Sequence, residues 1–196
     1  RTESGLTREF LAAVKKLEKS TGRTCGDASN PLLVSVRSGS KFSMPGMMDT
    51  ILNLGLNDET VRGLEAQTRN PRFAWDCYRR FIAMFGNVVK GIGKDEFEEA
   101  LRRIKSAFGA EDDGDLSTRA LRKLVAAFQD IYRQRTGIVF PQDPGDQLRL
   151  AVAAVFESWN NPRAITYRKL HNIPGDWGTA VNVQAMVFGN LGDDCA

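Results

Sequence analysis

The run Pro31–Asp58 constrains the fold more than any other part of the chain, because it joins a short apolar segment to a long loop of unusual composition. Four residues of this segment are apolar and mostly β-forming, which is typical of a short buried strand: Leu32, Leu33, Val34 and Val36. Arg37 follows directly, so we expect a fixed cation where the strand ends.

The loop that follows Arg37 is rich in serine, glycine and methionine and closes at Asp49 and Thr50; we call it the methionine loop. Its characteristic residues are Ser38, Gly39, Ser40, Ser43, Met44, Pro45, Gly46, Met47 and Met48. Hydroxyl groups, backbone N–H groups at glycine and a guanidinium all bind oligophosphates, so this composition indicates a phosphate-binding loop. An ordinary Gly-Ser turn with gap-filling methionines explains the same pattern, and both interpretations stay open here.

Composition places the chain among ordinary globular proteins of one domain, or of one domain with a small second lobe. It has 196 residues, of which 42% are hydrophobic and 26% are charged. We expect no membrane span and no signal peptide, and we place the protein in the cytoplasm or an organelle. The net charge of +3 weakly favours anionic ligands without requiring nucleic acid.

Cysteine and histidine usage predicts no metal site. Cys25, Cys77 and Cys195 are far apart and odd in number, and His171 has no partner at ligand spacing. A reducing intracellular compartment fits this pattern.

Amphipathic stripes bounded by capping signals predict helices on both sides of the central strand. We expect the first helix to be capped at Thr7 and to end at Gly22. Its apolar stripe consists of Leu6, Phe10, Val14 and Leu17. A short polar helix capped by Asn57 or Asp58 is expected to run through Gln67.

Longer helices are predicted to form the middle of the chain. Asn70-Pro71 opens an aromatic-rich helix, in which we expect core aromatics with Arg79 and Arg80 reaching water; a base-stacking surface is the alternative. The acidic run 111–115 lacks EF-hand spacing and is predicted to be a solvated turn. Two further helices end at Gly109 and Gly137.

The helix after Asp143-Pro144 completes the predicted lobe, together with a short helix towards His171. Its expected buried residues are Leu148, Val152, Val155, Phe156 and Trp159. Together these helices predict a helical lobe inserted between two β-containing pieces.

The segment Gly178–Gly189 alternates in hydrophobicity and predicts a strand. One face is expected to carry Val181, Val183, Ala185 and Val187, and the other Asn182, Gln184, Met186 and Phe188. An inward-facing Gln184 and Met186 suit a purine pocket, although an ordinary half-buried strand gives the same pattern.

Four runs in the chain resemble the N-terminal nucleotide-binding region of the pyruvate, phosphate dikinase family. They are VSVRSGSKFSMPGMMDTILNLGLND, RFAWDCYRRFIAMFG, FPQDPGDQLRLAVAAVFESWNNPRAITYR and GTAVNVQAMVFGN, in the family's order. The related water dikinases share the SVRS beginning, whereas the PGMMDT and SWNNPRA runs resemble the phosphate-using enzymes.

The resemblance implies a helix-rich α+β fold that is part of an ATP-grasp-like nucleotide-binding domain, with ATP between two lobes. It implies an enzyme that converts ATP, phosphate and pyruvate to AMP, diphosphate and phosphoenolpyruvate through a phosphohistidine. Mg²⁺ with ATP and a monovalent cation are the implied cofactors, and the full enzyme is implied to be a homo-oligomer.

The same resemblance implies the roles of particular residues. Arg37 would hold the ATP phosphates, which agrees with the need of phosphoryl transfer for positioning and charge neutralisation. The loop covering the phosphates would consist of Gly46, Met47, Met48, Asp49 and Thr50, and the residues at adenine would be Gln184, Ala185 and Met186. No catalytic residue or metal ligand is assigned within the chain.

The predicted division is a first β-containing piece with the phosphate loop at 1–56, a helical lobe at 57–175 and a second β-containing piece with the adenine strand at 176–196. The family's glycine-rich stretch with its lysine, its Mg²⁺ ligands, its phosphohistidine domain and its pyruvate-binding barrel have no counterpart in the sequence. We therefore expect a fragment with little or no activity alone.

Two competing hypotheses belong to other functional classes. In the first, the chain is a non-catalytic interaction module, with the helical lobe as docking surface and exposed methionines in the loop. In the second, it binds nucleic acid through Arg79, Arg80, Arg102, Arg103 and Lys105. The neighbouring carboxylates at 96, 98 and 99 argue against a continuous basic face.

Overall fold

The computed structural model describes the backbone of residues 3–188 and the side chains of residues 12–188. The helices are α1 (Glu3–Thr21), α2 (Thr60–Thr68), α3 (Pro71–Lys90), α4 (Lys94–Phe108), α5 (Thr118–Thr136), α6 (Pro144–Glu157) and α7 (Pro162–Leu170). The strands are β1 (Val34–Ser38), β2 (Thr50–Leu54) and β3 (Val181–Ala185). This is the predicted helix-rich α+β class, and no helix in the described part has the length and apolar content needed to span a membrane. The side chains of Leu6 and Phe10, and the whole of Cys195, lie outside the described residues.

The sheet has the order β2-β1-β3, with β1 antiparallel to both neighbours. The predicted first strand is thus central, and it carries Arg37 as its penultimate residue. Because β3 follows α7 in the chain, the segments before and after the helical region α2–α7 meet in one sheet.

The strand β2 has no counterpart among the sequence predictions. Its pairing with β1 shifts register between Val34 and Val36, so Leu52 and Asn53 both lie opposite the single residue between them. Asn53 has φ 59°, in the left-handed region. This β-bulge interrupts the alternation of buried and exposed residues, which is the signal that would have indicated a strand.

Most predicted helix ends are confirmed by their capping contacts. The side chains of Asn70 and Asp143 accept hydrogen bonds from Phe73 N and Asp146 N, at the starts of α3 and α6. Glycines with positive φ follow α1, α4 and α5, as predicted. The predicted cap at Thr7 is wrong, because α1 already begins at Glu3.

One continuous hydrophobic core joins the sheet to helices α2–α6. At its centre, the ring centroid of Phe140 lies 5.3–5.6 Å from the ring centroids of Phe81, Phe85 and Tyr132. The predicted burial of Phe156 is wrong, since it is 46% exposed. The buried stripe of α6 runs through Leu148, Ala151 and Val155 instead, and position 156 lies one residue, about 100°, around the helix from it.

The expectation that Arg79 reaches water is also wrong. Its side chain is buried and bonds the carboxylates of Asp76 and Asp113 at 2.7 and 2.8 Å, while the neighbouring Arg80 is exposed. The acidic run is therefore more than a solvated turn: its Asp113 begins a 3₁₀ turn that pairs with α3. A partner 34 residues away cannot be seen in a local sequence pattern.

Candidate functional site

The sheet has an open face that carries four exposed polar side chains. Register places Arg37 directly opposite Thr50 on β2 and opposite Asn182 on β3. Gln184 lies two residues further along β3, opposite Ser35. Directly opposed residues project to the same face of a sheet, so Arg37, Thr50, Asn182 and Gln184 form one polar surface.

Arg37 presents its charge to solvent from a buried strand. The preceding residue, Val36, is fully buried in the core, which fixes the backbone from which the arginine projects. No ion pair found among the described residues involves Arg37. This arrangement offers a guanidinium on a rigid support, as an anion site requires.

The methionine loop runs between β1 and β2, from Gly39 to Asp49; its predicted end residues Ser38 and Thr50 belong to the strands. Met47 N donates to Met44 O at 3.1 Å, closing a turn around Pro45 and Gly46. Gly46 has φ 73°, and proline followed by such a glycine is the pattern of a type II turn. The tip of the loop therefore needs glycine for its backbone conformation.

The methionines of the loop pack against the protein. Met44 is 7% exposed and forms a small second core with Trp159 and Ala164, against which Met47 and Met48 pack while partly buried. The docking-module hypothesis expected these methionines to be exposed, and that expectation is wrong. Their packing partners come from the SWNNPRA run, so the two runs that distinguish the resemblance lie in contact.

Polar contacts fasten the end of the loop to the same region. Asn161 Nδ2 donates to Asp49 Oδ2 at 2.9 Å, and the Arg163 guanidinium donates to Asp49 Oδ1 and, at 3.0 Å, to Met47 O. Asp49 N donates to Ser158 Oγ at 3.2 Å. Sequence reasoning assigned no role to these three partners, although the resemblance of the SWNNPRA run was an available signal.

A stacked aromatic pair joins the loop to the turn before β3. The rings of Phe42 and Trp177 lie 5.1 Å apart at 21°, and Lys41 Nζ lies 5.1 Å from the Trp177 ring centroid. Gly39 N donates to Ala180 O at 2.7 Å. The loop is thus held from both sides, by the α7 region and by the approach to β3.

The three predicted adenine residues lie in different environments. Gln184 is exposed on the open face, whereas Ala185 and Met186 pack partly buried against the core. The expected inward-facing Gln184 is therefore wrong for this sheet. Partly buried and exposed side chains alternate along β3 as predicted, but only through Ala185, where the strand ends. Beyond it, Val187 is 82% exposed and does not share the partly buried face predicted for it.

The cations of the nucleic-acid hypothesis are paired with carboxylates. Arg79 and Arg80 bond Asp76, Lys105 lies 3.4 Å from Asp113, and Glu99 lies near the guanidinium groups at positions 102 and 103. These pairs neutralise the surface that would have met a phosphate backbone. In the described residues, no three histidine, cysteine, aspartate or glutamate side chains are grouped so as to hold a metal ion.

Comparisons with known proteins point to one family. The model of the family "Pyruvate phosphate dikinase, AMP/ATP-binding domain" matches residues 2–193. The chain is 53% identical to pyruvate, phosphate dikinase of Rhizobium meliloti (strain 1021), over 98% of this chain and 21% of that protein. It is 56% identical to the Giardia intestinalis enzyme of the same name, over 97% of this chain and 22% of that protein.

A third relative is the protein named "Pyruvate, phosphate dikinase, chloroplastic" of Mesembryanthemum crystallinum, which is 52% identical over 97% of this chain and 20% of that protein. The chain thus spans about a fifth of the length of these curated relatives. Since the family model covers nearly every residue, the chain belongs to the pyruvate phosphate dikinase AMP/ATP-binding domain family.

Proposed function

We propose that the chain binds ATP across the open face of its sheet, with Arg37 at the phosphates and the methionine loop over them. The observation that carries the proposal is that register brings Arg37, Thr50 and Gln184 to one exposed face beside that loop. A guanidinium forms paired charge-assisted hydrogen bonds to phosphate oxygens, and the exposed Gly46 turn offers backbone groups close by.

Adenine would lie towards β3 in this arrangement. Gln184 offers an amide for hydrogen bonds to the purine edge, and Ala185 and Met186 would contribute through their backbone groups, since their side chains pack against the core. Gly46, Met47, Met48, Asp49 and Thr50 keep their proposed place in the loop at the phosphates.

The complete reaction is proposed by family membership. Relatives named pyruvate, phosphate dikinase support a phosphotransferase that makes AMP, diphosphate and phosphoenolpyruvate from ATP, phosphate and pyruvate through a phosphohistidine. We propose that other domains of such an enzyme are the partners of this chain, and that the chain alone has little or no turnover. An ATP-grasp-like arrangement, in which a second lobe covers the open face, and a homo-oligomeric enzyme belong to the same proposal.

Among the described residues, no group of three or more histidine, cysteine, aspartate or glutamate side chains is placed to hold a metal ion. We therefore assign neither Mg²⁺ nor a monovalent cation to a residue of this chain. Mg²⁺ enters the proposal only as the counterion with which ATP is presented.

The proposed division of the chain follows the sheet. Residues 1–56 and 176–196 would contribute to one β-containing region, which the pairing of β1 with β3 supports, and residues 57–175 would form the helical lobe. The cytoplasm or an organelle is the proposed location, and the word "chloroplastic" in a relative's name makes an organelle a concrete alternative.

Titration of the chain with Mg·ATP by calorimetry tests the proposal. Arg37→Ala removes one or two charge-assisted hydrogen bonds worth about 1.5–3 kcal/mol each, so we expect Kd to rise by at least about tenfold. Arg37→Lys should also weaken binding, because an ammonium cannot reproduce the paired geometry. Arg149→Ala, which removes an exposed cation of α6, is the matched control and should leave Kd unchanged.

Equal affinity of the Arg37→Ala variant and the unaltered chain would overturn the proposed role of Arg37. Absence of binding by the unaltered chain, with a helix-rich circular dichroism spectrum that shows it folded, would overturn ATP binding by this chain.

A further inference from the structure

We propose that Asp49, Asn161 and Arg163 form an anchor that sets the position of the methionine loop, and that Asp49 acts through this anchor instead of contacting phosphate. The inference rests on the proposed function, because the position of the loop matters for binding only if ATP phosphates lie beneath it. It assigns a positioning role to two residues of α7 and its N-terminal flank that the sequence left without a role.

Both oxygens of the Asp49 carboxylate are engaged by the anchor. Arg163 donates to Oδ1 and Asn161 donates to Oδ2. An ionised carboxylate only accepts hydrogen bonds, so it has no donor to offer a phosphate and would repel its negative charge. Arg163 offsets that charge, which makes an aspartate compatible with a loop proposed to cover phosphates.

Arg163 also fixes the backbone of the loop. Its Nε donates to Met47 O at 3.0 Å, so one guanidinium holds both Met47, the last residue of the turn, and Asp49, the residue before β2. Asp49 N is bound by Ser158 Oγ, which is itself buried and donates to Val155 O at 2.7 Å at the end of α6. The anchor therefore ties the loop to two helices at once.

The apolar contacts beneath the anchor give the loop a defined seat. Met44 packs with Trp159 and Ala164, and the Arg168 guanidinium lies 4.1 Å from the Trp159 ring centroid. Trp159 Nε1 donates to Gly175 O at 2.9 Å, which holds the ring in place. With methionines alone the loop would have adaptable packing, and the directional bonds of Arg163 and Asn161 select one arrangement.

The anchor is directly connected to the proposed phosphate site through the chain. Thr50 follows Asp49 and pairs with Arg37 across the sheet. A shift of Asp49 would consequently move the loop relative to the guanidinium that holds the phosphates. Preorganised loops bind ligands more tightly because the cost of ordering them has already been met in folding.

Amide hydrogen exchange measures the anchor without any ligand. In the Arg163→Ala variant we expect exchange at Asp49 N and Met47 N to accelerate by about tenfold or more, with core amides of α3 and α5 unchanged. Lys169→Ala removes an exposed cation from the same helix and should leave both loop amides unaffected. Unchanged loop exchange in Arg163→Ala would overturn the anchor.

Calorimetric titration with Mg·ATP then tests the consequence for binding. We expect Arg163→Ala and Asp49→Ala each to raise Kd by about 3- to 10-fold, and Arg163→Lys to recover part of the loss. If Asp49 acts through Arg163, the double variant should bind about as weakly as either single variant. Additive losses would show that Asp49 affects binding independently of Arg163 and would overturn the inference.

The outcomes separate the two proposals. If Arg37→Ala weakens binding and Arg163→Ala does not, the proposed function stands and the positioning role fails. If the folded chain binds no Mg·ATP, the proposed function fails; loop exchange then decides whether the anchor exists, and the inferred effect on nucleotide binding falls with the function.

Discussion

Three arginines of this chain carry the same charge in three different environments. Arg79 is buried between two carboxylates, and Arg168 is buried over the ring of Trp159 with the Trp159 carbonyl as acceptor. Arg37 is exposed on the central strand. The first two charges are used inside the fold, so substituting them should affect stability, whereas substituting Arg37 should affect ligand binding.

Two buried tyrosines allow a matched test of how much a buried hydroxyl contributes to stability. Tyr132 is fully buried and its hydroxyl has no hydrogen-bond partner among the described residues; burial also raises the pKa of this phenol. Tyr78 is equally buried, but its hydroxyl donates to Asp58 at 2.8 Å and accepts from Gln129 at 3.0 Å. Replacing tyrosine by phenylalanine should thus change stability differently at the two positions.

We expect Tyr132→Phe to leave the free energy of unfolding unchanged or raise it by about 1 kcal/mol, because it removes an unsatisfied buried hydroxyl. Tyr78→Phe should lower it by about 1–2 kcal/mol, because it breaks two satisfied hydrogen bonds. Urea unfolding followed by fluorescence measures both. A loss of stability in Tyr132→Phe as large as that in Tyr78→Phe would contradict the finding that the Tyr132 hydroxyl lacks a hydrogen-bond partner among the described residues.

At the scale of elements, a local ion-pair group joins three parts of the helical region. Asp113 of the 3₁₀ turn receives Arg79 from α3 and Lys105 from α4. Partial burial raises the pKa of Asp113, but the hydrogen bonds and charges of Arg79 and then Lys105 outweigh it and lower the pKa below its ordinary value of 3.8. A carboxyl whose pKa is lowered by folding stabilises the fold at pH values above its ordinary pKa. This contribution is lost as the pH falls through the folded-state pKa.

Asp113→Asn should therefore reduce the free energy of unfolding by about 1–2 kcal/mol at neutral pH, a figure kept small because the carboxylate is partly exposed. The free energy of unfolding should be measured for both proteins from pH 7 down to pH 2.5. We expect the difference between Asp113→Asn and the unaltered protein to become smaller below pH 3.8. Glu111→Gln serves as a neighbouring control, because it removes an exposed carboxylate for which no ion pair is found among the described residues. A difference that persists unchanged in acid would contradict the role of the Asp113 charge.

The elements also show what sequence reasoning could and could not provide. Helix ends at Asn70, Asp143 and Gly137 were predictable, because capping depends on residues within one turn. The strand β2 was not, because its bulge at Asn53 breaks the period-2 pattern, and the burial of Arg79 depends on a distant partner. Arg37 and the methionine loop were visible as composition, whereas the contact between Asp49 and Arg163 exists only in three dimensions.

At the scale of the whole molecule, one buried amide links the helical region to the sheet. Gln147 of α6 is fully buried; its Oε1 accepts from Gly55 N, and its Nε2 donates to Leu56 O and Pro141 O. All three contacts are 3.0 Å or shorter. Together with the continuous core, this link predicts that the sheet and the helices unfold as one unit.

Gln147→Ala should lower the free energy of unfolding by about 2–4 kcal/mol, since it leaves three backbone groups without partners in the interior. Gln147→Glu retains an acceptor for Gly55 N while removing both donors, and it should be destabilised as well. Transitions followed by far-ultraviolet circular dichroism and by tryptophan fluorescence should coincide in the unaltered protein. Separate transitions would show that the described fold does not unfold as one unit.

The central position of β1 determines when the molecule can acquire its proposed ligand surface during synthesis. β1 and β2 are joined by one loop and can pair as soon as both have left the ribosome, but β3 follows α7 in the chain and is made later. Pairing between segments so far apart in the chain is slow to form. Gln184 can therefore join Arg37 only after the helices between them have been made, and the proposed nucleotide surface is incomplete until then.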